Sequence, residues 1–103
     1  MANSTAGSAG DVSALARAGA DVLVSAMPRA TWDEIEGSII ALLAGEDQAA
    51  RATTRDLLEH DRAQMLDGRG AGVSDRWCLF LLGHLDEHPE SAAELDQIIS
   101  HAA

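Results

Sequence analysis

Residues 77–85 read Trp77-Cys78-Leu79-Phe80-Leu81-Leu82-Gly83-His84-Leu85, an apolar run in a chain that is otherwise acidic and polar. Successive side chains of a helix point about 100° apart, so Trp77, Leu79, Phe80, Leu81 and Leu82 would face almost every direction around its axis. A helix apolar on all sides has to be enclosed, by its own neighbours or partly by a second molecule. The run therefore predicts an all-α fold: a single small bundle of about five short helices with the Trp77–His88 helix central. A domain of ~90 ordered residues buries only about two-thirds of its unfolded surface, so such a helix is hard to cover within one chain.

The flanks of this run carry helix boundaries. Ser74 is the expected N-cap, with Asp75 at the positive end of the helix dipole. Pro89 closes the helix behind it and opens a last one, Pro89 to about His101, with Ala92, Leu95, Ile98 and Ile99 on one face. Upstream, Asp67-Gly68-Arg69-Gly70-Ala71-Gly72 has three glycines in five residues and predicts a loop. A weakly amphipathic helix is expected from about Asp47 to Leu66, with Leu57, Leu58 and Met65 as its apolar contacts. Before it, Thr31-Trp32-Asp33-Glu34 has the form of a capping box. It opens a helix with Trp32, Ile35, Ile39, Leu42 and Leu43 inward and Gly45 at its C-terminal turn. Val12, Leu15, Ala16, Gly19, Val22, Leu23 and Ala26 recur at helical spacing, which places a first helix up to Met27, just before Pro28. Residues 1–10, small and polar, read as a flexible leader to a helical domain over 11–103. No stretch alternates with the period of a strand.

Composition narrows the classes of function. The 103 residues suffice for one domain and one core. Seventeen acidic residues against seven basic give a formal net charge of -10. Such a surface repels phosphate backbones and anionic lipid, so neither nucleic acid nor membrane is an expected partner. No signal-peptide pattern opens the sequence, and no apolar run approaches the ~20 residues that span a bilayer. With a single cysteine, Cys78, no disulfide can close within the chain, and the expected location is cytoplasmic.

Several motifs could carry chemistry, and each has a plainer reading. His84-Leu85-Asp86-Glu87-His88 matches His-x-x-Glu-His, which puts two imidazoles on one helical face with a glutamate as base. A catalytic zinc needs a third ligand and a cleft, and Pro89 ends the helix directly after His88, so a half-buried His84 and a C-terminal His88 are expected instead. The glycine-rich stretch 68–72 fits neither the Walker nor the dinucleotide pattern. Cys78 and His84 lie six residues apart, about 600° of helical rotation, and do not meet. The acidic clusters Asp33/Glu34/Glu36, Asp56/Glu59/Asp61 and Asp86/Glu87/Glu90/Glu94 lack calcium-loop spacing and read as solvated faces. Trp32 and Trp77 read as core anchors with the indole N–H near water, Trp77 being the better interface residue of the two. No catalytic, metal-binding or cofactor-binding residue is expected.

Leu23-Val24-Ser25-Ala26-Met27 followed by Trp32, a charged helix, Trp77 with Leu81-Leu82, and Pro89-Glu90-Ser91-Ala92-Ala93-Glu94-Leu95 together resemble a group of short actinobacterial conserved hypothetical proteins. The resemblance covers most of residues 14–100. It implies an all-helical fold with no assigned enzymatic activity, and it carries over no site residues. The sequence thus points to a non-enzymatic protein–protein interaction module (an adaptor, regulator or assembly component) that docks to another protein or to itself. Its interface candidates are Trp77, Leu79, Leu82, Leu85, Ile98 and Ile99. The alternative is an acidic inhibitor or antitoxin-like protein that neutralises a basic partner.

Overall fold

A computed structural model describes the backbone of residues 2–102 and, for residues 12–102, the side chains as well. The leader expected over residues 1–10 lies outside the residues described in full. Five helices form the fold: α1 (Ala2–Ala26), α2 (Trp32–Ala44), α3 (Gln48–Leu66), α4 (Val73–Glu87) and α5 (Ser91–Ala102). Among the described residues there is no strand. The fold is an all-α bundle, as the apolar periodicity predicts.

α1 is the spine. It lies along α4 and also packs on α5 and α2, while α2 packs on α3 and α5. Small residues make this possible: Ala16 and Ala20 are fully buried, and Gly19 lets two neighbouring helices close in. A Cβ on Gly19 would stand 3.0 Å from Leu81 Cδ1 of α4 and 3.0 Å from Leu95 Cδ1 of α5. Leu23, Met27, Trp32, Ile39, Ile40, Leu58, Trp77, Leu81 and Leu95 fill the centre of the core.

The central apolar helix is enclosed on one side only. α4 buries Val73, Trp77, Leu81 and Leu85, one residue per turn. Leu79, on the opposite side of the helix, is 69% exposed, and Phe80 on the flank is 46% exposed. Two helices, α1 and α5, cover the buried stripe. α3 meets α4 through Asp61, which bonds to Trp77 and Arg76.

The caps differ from the sequence reading at two places. The Thr31–Glu34 capping box does not form. Thr31 is itself helical in backbone (φ -77, ψ -1) and its hydroxyl makes no cap bond, whereas a cap residue needs an extended backbone to turn its side chain onto the next turn. The Ile35 N–H donates to the Thr31 carbonyl at 3.2 Å, and Glu34 turns out to meet His101 at 3.0 Å. Nor does Ser74 cap α4: the helix starts two residues earlier, at Val73, after Gly72 in the left-handed region (φ 83). The Ser74 hydroxyl instead donates to Asp21 on α1 at 3.0 Å and accepts from Arg17 at 3.3 Å. Arg17 also pairs with Asp75 at 3.0 Å, so a polar cluster fastens α1 to the start of α4. By contrast Asp47 caps α3 directly, accepting the Ala50 N–H at 3.1 Å, and Gly45 ends α2 at positive φ (59).

Replacing Gly19 tests the close approach. Gly19→Leu is expected to lose about 1–3 kcal/mol by overpacking between α4 and α5. Gly19→Ala should change stability far less, because the helix-propensity gain of about 1 kcal/mol offsets its tight contacts with flexible leucine ends. Urea denaturation followed by circular dichroism measures both.

Candidate functional site

α3 carries few apolar side chains, and only Leu58 and Asp61 on it are buried. Polar side chains attach it to the bundle instead. The Trp77 indole N–H donates to Asp61 Oδ2 at 2.6 Å, and Arg76 makes an ion pair with the same carboxylate. One layer away, the Trp32 indole N–H donates to Glu59 Oε2 at 3.1 Å. Arg62 donates to the Met27 carbonyl at 2.8 Å and lies over the Trp32 ring, 5.7 Å from its centroid, where the ring quadrupole favours a cation. Both tryptophans are thus core residues whose one polar atom is satisfied by a carboxylate of α3 rather than by water.

This attachment shapes a groove. Trp77, held by Asp61, packs its ring against Phe80 with centroids 5.1 Å apart. Phe80, Leu43, Leu57, Thr54, His84 and Glu87 then surround a groove of about 300 Å³, floored by Trp77. Leu57 is 43% exposed on its α3 side. Phe80 and Leu57, both partly exposed at this one groove, are what a docking face presents.

The six interface candidates do not form one face. Trp77 and Leu85 are buried and serve the core, because the i, i+4 spacing with Val73 and Leu81 turns them toward α1. Leu79 is exposed. Leu82, Ile98 and Ile99 are half-buried against the core. Ile98 borders a separate groove of about 460 Å³ with Glu34, Ser38 and His101. Phe80 and Leu57, which the sequence did not single out as interface residues, lie at the α3–α4 groove.

The His-x-x-Glu-His segment is occupied by local contacts. His84 Nε2 shares a hydrogen bond with Ser91 Oγ at 3.1 Å, and His88 Nδ1 lies 3.3 Å from Glu90. The two rings sit 4.8 Å apart. Burial first, and the neighbouring His88 second, hold the His84 pKa below its ordinary value. Among the described residues no three His, Cys, Asp or Glu side chains cluster as metal ligands. Cys78 is a free thiol, half-buried on α4.

Two of the acidic residues expected on solvated faces are buried: Glu36 at 6% exposure and Asp61 at 2%. Helical phase carried the signal. Glu36 lies one turn after Trp32 and one before Ile39 and Ile40, and Asp61 lies one turn after Leu58, so both fall on the inward stripes. Reading carboxylates as surface by type overrode that phase.

Removing the Asp61 carboxylate leaves a buried indole N–H without an acceptor. Asp61→Ala is therefore expected to lower unfolding free energy by about 2–3 kcal/mol. Asp61→Asn, which keeps an acceptor, should cost less. Urea titration monitored by tryptophan fluorescence distinguishes the two.

Comparison with protein-family models, curated proteins and solved structures finds no match for this chain, so the resemblance to short actinobacterial helical proteins stands on the sequence motifs alone.

Proposed function

We propose that this chain is a non-enzymatic interaction module, an adaptor, regulator or assembly component, that docks to a protein partner or a second copy of itself through the α3–α4 face. The observation that carries this reading is the exposure of Phe80 and Leu57 at one groove, with Leu79 exposed on the outer side of the same helix α4. Placing large apolar side chains in water forgoes roughly 1.5–3 kcal/mol each relative to burial. The sequence has few aromatic residues, and one of them stands at this surface. A rigid floor favours the same reading: Asp61 and Arg76 fix Trp77, so a partner need not order it on binding.

A second reading has its own support. The net charge of -10 suits an acidic inhibitor of a basic protein, since such a field speeds encounter and falls with salt. Hydrophobic docking strengthens or holds with salt, whereas charge-led docking weakens steeply. A cytoplasmic setting belongs to either reading, supported by the unpaired Cys78 thiol. No helix among the described residues is long and apolar enough to cross a membrane.

Light scattering on size-exclusion fractions over a wide concentration range tests self-docking. The expected result is a dimer that the double variant Leu79→Asp/Phe80→Asp dissociates, with affinity falling about 30-fold or more, as for loss of a hot spot. Leu79→Asp alone should leave thermal stability nearly unchanged, because Leu79 is 69% exposed. Phe80→Asp also gives up the ring contact with Trp77 and should lower it, with circular dichroism checking that the double variant is folded. A monomer at every concentration, together with no partner whose binding the double variant weakens, would count against the proposal.

A further inference from the structure

Glu36 is buried on the side of α2 that faces α3, and its Oε2 is wholly enclosed with no hydrogen-bond donor. Glu36 follows Trp32 by one turn on the buried face of α2, and Trp32 bonds to Glu59 across the helix pair, which sets the two carboxyl groups side by side between α2 and α3. Glu59 Oε2 already accepts the Trp32 indole N–H. The two acids are therefore unequal. Glu59 has donors that favour its charged form, while Glu36 has an oxygen that no donor serves and that pays the full desolvation cost when ionised. A single proton on Glu36, donated to Glu59, satisfies both groups.

We propose that Glu36 and Glu59 share one proton as a clasp between α2 and α3, and that losing this proton as the solution turns alkaline loosens α3 from the bundle and uncovers Trp32. Charges around the pair fit this arrangement. Burial, then Glu59, pushes Glu36 up to about 7, with Asp33 adding to the rise and Arg55 opposing it. Bonds from Glu36 and Trp32 hold Glu59 below its ordinary value, helped by Arg62 and Arg55. On α5, His101 pairs with Glu34, which lies about 200° around α2 from Glu36 and so on its other side. With both acids ionised, two like charges meet in a partly buried contact. α3 is the element that yields, because beside one buried leucine and the half-buried Met65 it is attached by polar bonds, those of Asp61, Arg62 and Arg51.

The direction of the pH dependence follows from linkage. Glu36 binds its proton more tightly in the folded chain, so between its ordinary 4.5 and about 7 the native state holds the extra proton and loses stability as pH rises. Glu59 acts oppositely and at lower pH: its contribution is lost as the solution becomes more acidic than its lowered folded value. Together they place the tightest α2–α3 contact in weakly acidic solution.

Thermal melts of the intact protein at pH 5.5, 6.5, 7.5 and 8.5 test the clasp. The wild type should lose about 5–10 °C across this range, with tryptophan emission shifting to longer wavelength at the alkaline end. Glu36→Gln keeps an N–H donor for Glu59 at every pH, so it should flatten both trends. The four histidines are common to both proteins, so the difference between the two profiles removes their contribution. Parallel profiles would overturn the proposal. Carbon-13 NMR of the wild-type carboxyl groups provides a readout that needs no variant. One glutamate titrating near neutrality, with α3 amides exchanging faster above that pH, is expected; every carboxyl titrating in the acid range would overturn the clasp.

Discussion

Each tryptophan of this chain gives its indole N–H to a carboxylate on α3, Trp32 to Glu59 and Trp77 to Asp61. The position of α3 on the bundle depends on these two bonds, because α3 buries only Leu58 and Asp61. An indole is large enough to anchor a core and still carries one donor that must be satisfied there. Placing the acceptor on a helix of low apolar content solves two problems together. The tryptophans stay dry, and a polar helix gains a fixed position that hydrophobic burial could not give it. A charge-assisted bond is stronger than a neutral one: the Trp77–Asp61 bond, buried at both ends, is worth about 1.5–3 kcal/mol, while Glu59 is exposed and water weakens its bond to Trp32.

The opposite side of the molecule is built on a different principle. α1 presents Ala16, Gly19 and Ala20 to its neighbours, so Leu81 and Leu95 approach its backbone closely. There the fit is steric and apolar, and close packing supplies the stability. The bundle is therefore uneven: a tightly packed α1–α4–α5 side and an α2–α3 side joined largely through carboxylates, indoles and arginines. Mobility and sensitivity to solution conditions concentrate where polar bonds replace apolar packing. The α3–α4 groove lies at the junction of the two sides, with Trp77 belonging to both.

Much of the fold was legible in the residues. Apolar spacing located all five helices; Pro28, Gly45, the glycines at 68–72 and Pro89 marked their ends, since backbone preference at these positions is local. Local chemistry was a poorer guide to the caps. Thr31 and Ser74 have the right side chains, but one has a helical backbone and the other is drawn to Asp21 and Arg17 on a neighbouring helix. The candidate face was legible only in part. Leu79 is as exposed as the surplus of apolar residues on α4 implies, while Phe80 and Leu57 needed the placement of α3 beside α4.

By itself, the sequence determined that the chain is helical, where its helices turn, and that α4 carries more apolar surface than one flank can hide. These properties follow from periodicity and from the backbone limits of glycine and proline, which act over a few residues. Tertiary structure alone decided which side of α4 is covered, that both indole N–H groups meet carboxylates of α3 rather than water, and that Glu36 and Asp61 are buried. Whether a carboxylate sits in water or under an indole depends on a helix far along the chain, and that pairing is a matter of three-dimensional packing rather than of spacing.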